Sequence, residues 1–114
     1  MNKLNDELIV ACRKGQMDIV QSLIEKGADD WNRALVNACL GGNLDIVSLL
    51  LEKGADHLNC GLERACYSGH LNIVKFLVEK GANDIYQGLQ MAHKRGYEEI
   101  VDFLEKMQRY KKKN

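Results

Sequence analysis

A chain of 114 residues with 46% hydrophobic, 28% charged and 6% aromatic residues and no proline has the make-up of one ordinary folded domain, not of a disordered or membrane-spanning chain. Sixteen basic residues balance sixteen acidic ones, which excludes an overall positive field able to draw the chain to nucleic acid or anionic lipid. No run approaches the roughly eighteen apolar residues of a membrane span, and Met1 to Glu7 lacks the apolar stretch of a targeting signal, so a cytoplasmic protein is expected.

The first predicted element carries Leu8, Ala11 and Cys12 at the i, i+3, i+4 spacing of a helix face and closes at Gly15. Asn5 stands before it as a candidate N-cap, and Leu4 can fold over the helix start as a hydrophobic staple. A second helix holds Ile19, Val20 and Leu23 and stops at Gly27. The same block returns every 27 residues. In the second copy Trp31 and Asn32 precede Leu35, Ala38 and Cys39, Gly42 closes the first helix, and a second runs from about Leu44 to Lys53. There Leu44, Val47, Leu50 and Leu51 point inward, Asp45, Ser48 and Glu52 point outward, and Gly54 ends the run. The third copy repeats this with Leu58, Asn59, Leu62, Ala65, Cys66, Gly69, Ile73, Val74, Leu77 and Gly81.

The fourth copy keeps Ile85, Leu89, Ala92, Gly96, Ile100, Val101 and Leu104, but has Tyr86 in the asparagine column. It also puts Glu98 where Met17, Leu44 and Leu71 stand, and Glu105 where Ile24, Leu51 and Val78 stand. Charged residues in apolar interface columns mark a terminal cap, just as Ser22, in the column of Leu49, Phe76 and Phe103, marks the face with no preceding copy. Glu98 and Glu99 in the first turn of the last helix and Lys111 to Lys113 beyond its end suit the helix dipole. The expectation is a monomeric all-α solenoid of four stacked helix-turn-helix repeats, about residues 4–30, 31–57, 58–84 and 85–114, filling the whole chain as one domain.

The run from Leu62 through Gly69-His70-Leu71 to Glu79-Lys80-Gly81-Ala82 resembles the helical part of an ankyrin repeat, and the likeness covers about residues 5–108. The resemblance implies a right-handed solenoid that binds other proteins through β-hairpin tips and the concave side of its first helices. The copies depart from the family pattern in length, because ankyrin units usually have about 33 residues. Only five residues separate Asp29 from Leu35, too few for a two-stranded finger, so short loops and no β-sheet are expected.

Cys12, Cys39, Cys66 and His93 share a column and offer zinc-binding residue types. Equivalent positions on stacked helices lie about 8–10 Å apart, beyond both a shared metal and the roughly 7 Å limit of a disulfide, so these read as small buried side chains beside the alanine column. Cys60, at a loop-to-helix junction, is the candidate exposed thiol. His57, His70 and His93 accompany no nucleophile with a positioned carboxylate, so neither catalysis nor a cofactor is expected. Gly41-Gly42-Asn43 lacks the lysine and hydroxyl of a phosphate loop and reads as a turn.

The columns that vary carry the expected binding site: Arg13 and Lys14, Leu40, Tyr67 and Ser68, Lys94 and Arg95 before the glycines, and Asn43, His70 and Tyr97 after them. Aromatic and arginine side chains on one edge match the make-up of interface hot spots. The partner is expected to be another protein, not a small molecule or a membrane, with stability indifferent to these positions. Trp31, in an apolar column, reads as structural cover. A structural or decoy repeat protein without a specific partner, or an RNA-binding module using the basic ends such as Arg109 to Lys113, are the alternatives; zero net charge counts against the second.

Overall fold

The computed structural model describes residues 2–113, with side chains through Tyr110. The expected role of the Lys111–Lys113 side chains therefore lies outside the described residues. Among the described residues eight helices follow one another: α1 (Lys3–Lys14), α2 (Met17–Glu25), α3 (Trp31–Gly41), α4 (Leu44–Lys53), α5 (Leu58–Ser68), α6 (Leu71–Glu79), α7 (Ile85–Arg95) and α8 (Glu98–Lys113). Among the described residues no strand forms, and only four or five residues, as in Lys26–Asp30, connect one helix pair to the next. The hairpin fingers are absent from every described junction.

Each pair is held at a tight turn by its glycine. Gly42 adopts φ 83°, a left-handed conformation costly for any residue with a Cβ, and lets the N–H of Asn43 donate to Ala38 O at 3.2 Å. The same bond recurs from Gln16 to Ala11, His70 to Ala65 and Tyr97 to Ala92. The alanine column thus faces the core with its side chain and satisfies the helix end with its carbonyl.

One core runs the length of the stack. Leu8, Leu35 and Leu62 of the first helices and Val47, Leu50, Val74 and Leu77 of the second are fully buried, and Leu23 and Leu104 extend the row to both ends. The cysteine column works by size. A Cβ at Gly61 would stand 3.1 Å from Cys39 Sγ, and one at Gly88 would stand 3.0 Å from Cys66 Sγ. Mid-helix glycine is normally unfavourable by about 1 kcal/mol. Here it leaves room for the sulfur of the preceding repeat.

Stacking is uneven. The first helices α1, α3, α5 and α7 pack closely on one another, whereas α4 with α6 and α6 with α8 share far fewer contacts. The layer therefore bends toward the first helices, which line its inner side, in a body of 47 × 27 × 23 Å. The first copy is open where the others are covered: Ile19 is 46% exposed, while Ile46, Ile73 and Ile100 in its column are at most 2%.

The asparagine column does a different job from the one expected. Asn5, Asn32 and Asn59 lie inside their helices; Asn2, Asp30, His57 and Asp84 hold the cap positions, and of these Asn2 and Asp84 accept backbone N–H groups. Leu4, Trp31, Leu58 and Ile85 are likewise helical residues and not staples in front of the helix. Asn5 Oδ1 accepts the N–H groups of Asp29 and Asp30 at 2.8 and 3.0 Å, and its Nδ2 donates to Asp29 Oδ1 at 3.2 Å. Asn32 binds Asp56 and His57 in the same way, and Asn59 binds Asn83 and Asp84. Each asparagine latches the loop of the following repeat, the place where hairpins would otherwise stack. Tyr86 breaks the column because no described loop follows it, and its ring is 64% exposed.

Asn5→Ala is expected to destabilise the fold by about 1–3 kcal/mol, since two backbone N–H groups lose their acceptor in a place largely shut from water. The Asn59→Ala cost should be smaller, because Asn59 is exposed and water can replace its amide. Chemical denaturation of the two variants checks this order.

Candidate protein-binding surface

With Leu8, Ala11 and Cys12 of α1 turned to the core, a rotation of about 100° per residue carries Asp6, Val10 and Arg13 to the opposite side of the helix. The corresponding stripes are Arg33, Asn37 and Leu40 on α3, Cys60, Arg64 and Tyr67 on α5, and Gln87, Met91 and Lys94 on α7. Side by side, the four stripes make the inner face. Val10 is 51% and Tyr67 39% exposed, Arg13, Arg64 and Lys94 are exposed, and Leu40 and Met91 are half-buried. Arg33 pairs there with Asp6 of the preceding repeat at 3.5 Å and with Asp30 of its own repeat at 3.1 Å. At the far end Gln87, Gln90, Met91, His93 and Lys94 line an open hollow of about 440 Å³.

Tyr67 is held in place. The Arg95 guanidinium lies over its ring at 4.4 Å from the centroid, so one face of the aromatic is covered by a cation and the rest stays open. Arg13, Leu40, Tyr67 and Lys94 thus form one row across the inner face, each at the next-to-last position of its helix, with Lys14, Ser68 and Arg95 beside them at the helix ends.

Asn43, His70 and Tyr97 sit elsewhere. A Cβ at Gly42 would lie 2.5 Å from His70 Cε1, and one at Gly69 would lie 2.6 Å from Tyr97 Cε1; Asn43 covers Gly15 in the same manner. His70 Nε2 also pairs with Leu40 O at 3.2 Å. These three side chains pack each repeat onto the glycine turn of the one before, so their truncation must affect stability, contrary to the expectation from sequence.

The reading of variable columns missed Val10, Arg33, Asn37, Arg64 and Met91. These positions vary as much as the ones chosen, and the helical rotation away from the Leu-Ala-Cys face would have found them. Trp31 is half-buried against the core, with Cδ1 3.8 Å from where a Gly54 Cβ would stand, and so covers the turn that ends its own repeat.

A family model for ankyrin repeats in three copies matches residues 8–88, well over half of the sequence. The chain belongs to the ankyrin-repeat family. No curated protein matches it. Ankyrin repeats are generally protein-protein interaction modules and the family is typically non-enzymatic. No helix among the described residues is long and apolar enough to cross a membrane.

The cysteines of this ankyrin-repeat chain divide by environment. Cys12, Cys39 and Cys66 are buried and Cys60 is exposed. His93, expected beside the buried thiols, is exposed because no described repeat covers α7. Loss of solvation pushes all three buried thiols from 9.0 up to about 12. One thiol per native chain, Cys60, is expected to react promptly with an aromatic disulfide reagent at pH 8, and all four after denaturation.

The same shift sets a pH dependence. Because the folded thiols hold their protons longer than the unfolded ones, their stabilising contribution is complete below about pH 9 and is lost as the pH climbs toward about 12. Cys39→Ala should flatten that alkaline fall in melting temperature. Chelator or reductant at neutral pH should leave the melt unchanged.

Proposed function

We propose that this chain is a protein-interaction module that binds one partner along the inner face of α1, α3, α5 and α7, working as a single four-repeat unit without a cofactor. The observation that carries this reading is the contrast between columns. Most positions packed in the core keep one identity from copy to copy, whereas the inner face changes from Val10 and Arg13 to Leu40, to Arg64 and Tyr67, to Met91 and Lys94. An aromatic fixed by a cation, set among half-buried aliphatic groups and rimmed by charges, has the composition of an interface hot spot. The residues between repeats, Asn43, His70 and Tyr97, stand at the rim of this surface, where they shape it by fixing the pitch of the stack.

A photo-crosslinking amino acid placed at Arg64 on the inner face, and separately at Asp45 on the second-helix side, tests the assignment in extract of the native cell. Discrete adducts from position 64 and none from position 45 are expected. Adducts from position 45 alone would move the interface to the second helices, and none from either would favour a structural protein without a specific partner.

A further inference from the structure

The chain as a whole is neutral, but its charges are sorted. The inner stripes carry Arg13, Arg33, Arg64 and Lys94 against one carboxylate of their own, Asp6, and Arg33 is already engaged, by Asp6 at 3.5 Å and by Asp30 at the start of its own helix at 3.1 Å. Arg13, Arg64 and Lys94 are exposed, and among the described residues none of them has a carboxylate within ion-pair distance. More than half of the balancing acids lie on the second helices, among them Asp18, Asp45, Glu52 and Glu79, and most of the others lie in the loops between repeats. Val10, Leu40 and Met91 interleave with the free cations across the four helices.

We propose that the partner presents an extended acidic segment with interspersed apolar side chains, laid across the four inner helices; this rests on the interaction reading above. Two of the three free cations are arginines, whose planar fork pairs with carboxylates in a bidentate manner. Helices about 8–10 Å apart place α1 and α7 some 30 Å from each other, a distance that about ten extended residues cover at roughly 3.3 Å each. Carboxylates near the ends and centre of such a segment meet Arg13, Lys94 and Arg64, and its apolar residues meet Val10, Leu40 with Tyr67, and Met91. The same face suits RNA poorly. Single-stranded nucleic acid needs successive aromatic platforms, whereas Tyr67 is the one aromatic on the inner stripes and Arg95 already covers a face of it.

The test is selection of a random 12-residue peptide library, displayed on phage, against the full chain. Enriched sequences should carry a net charge of about −3 with apolar residues between the acids. A synthetic peptide of that sequence should lose at least about tenfold in affinity for R13E/R64E/K94E, and nearly as much for R13Q/R64Q/K94Q, with both variants melting like the wild type. Neutral or basic winners that fail to bind Tyr67→Ala would overturn the acidic partner while leaving the inner-face reading standing. Winners indifferent to Tyr67→Ala and to both charge variants would overturn both. The proposal also falls if nothing is enriched, or if a fluorescent twelve-nucleotide uridine RNA binds more tightly than the acidic peptide.

Discussion

Leu50→Ala is expected to lower the stability of the chain by about 2–5 kcal/mol, the range for emptying a fully buried leucine site. Leu50 has no exposed surface, lies in a central repeat and faces a core in which Val47, Ile46 and Ala38 are equally enclosed. In a stacked repeat protein each unit is stable only through its neighbours, so a cavity in an inner copy weakens its own packing and two interfaces at once. Domains of this size are held by about 5–15 kcal/mol in total, and the variant should therefore unfold at a much lower urea concentration. Leu23→Ala, at the open first copy where Ile19 is half exposed, should cost less. A Leu50→Ala midpoint close to wild type would mean that the inward face of α4 has been misplaced.

The columns made the helical architecture legible because burial in a repeat protein imposes the same demand at each copy. Leu44–Lys53 is read correctly from its inward leucines and closing glycine, and the loop length alone rules out hairpins. What the columns do not contain is the identity of the contacting group. An asparagine near each helix start looks the same whether it caps its own helix or reaches 24 and 25 residues ahead to the next loop, as Asn32 does to Asp56 and His57. The missing asparagine at Tyr86 was the available clue, since an N-cap serves every copy alike, whereas a latch needs a loop to hold and none follows Tyr86 among the described residues.

The opposite error arose after the glycines. Asn43, His70 and Tyr97 differ from copy to copy and so looked like free surface, yet all three pack against a glycine. A bare backbone opposite accepts an amide, an imidazole or a phenol equally well, and that tolerance, not exposure, lets the column vary. Variation therefore locates a surface only when the opposing residue is also known. On the inner stripes Val10 and Arg64 are exposed, so there the inference from variation to contact with a partner keeps its force.

This separation of roles yields the second large effect. Tyr67→Ala is expected to weaken partner binding by about 2 kcal/mol or more, roughly thirtyfold in Kd, because a rigid aromatic held on the inner face is removed. Its cost to folding should stay within about 1 kcal/mol, the worth of an exposed stack with Arg95. Tyr97→Ala should invert the proportions, since its ring fills the space over Gly69 and its removal opens a gap between the third and fourth repeats. His70→Ala behaves in the same sense and also frees the Leu40 carbonyl. Asp45→Lys, on the second-helix side, should leave binding unchanged and cost folding about 1 kcal/mol at most, through the dipole of α4. Calorimetric binding and thermal melts of the four variants place each on two axes. If Tyr67→Ala lowered the melting temperature as far as Tyr97→Ala while leaving affinity intact, Tyr67 would belong to the packing between repeats and the centre of the binding face would have to lie elsewhere.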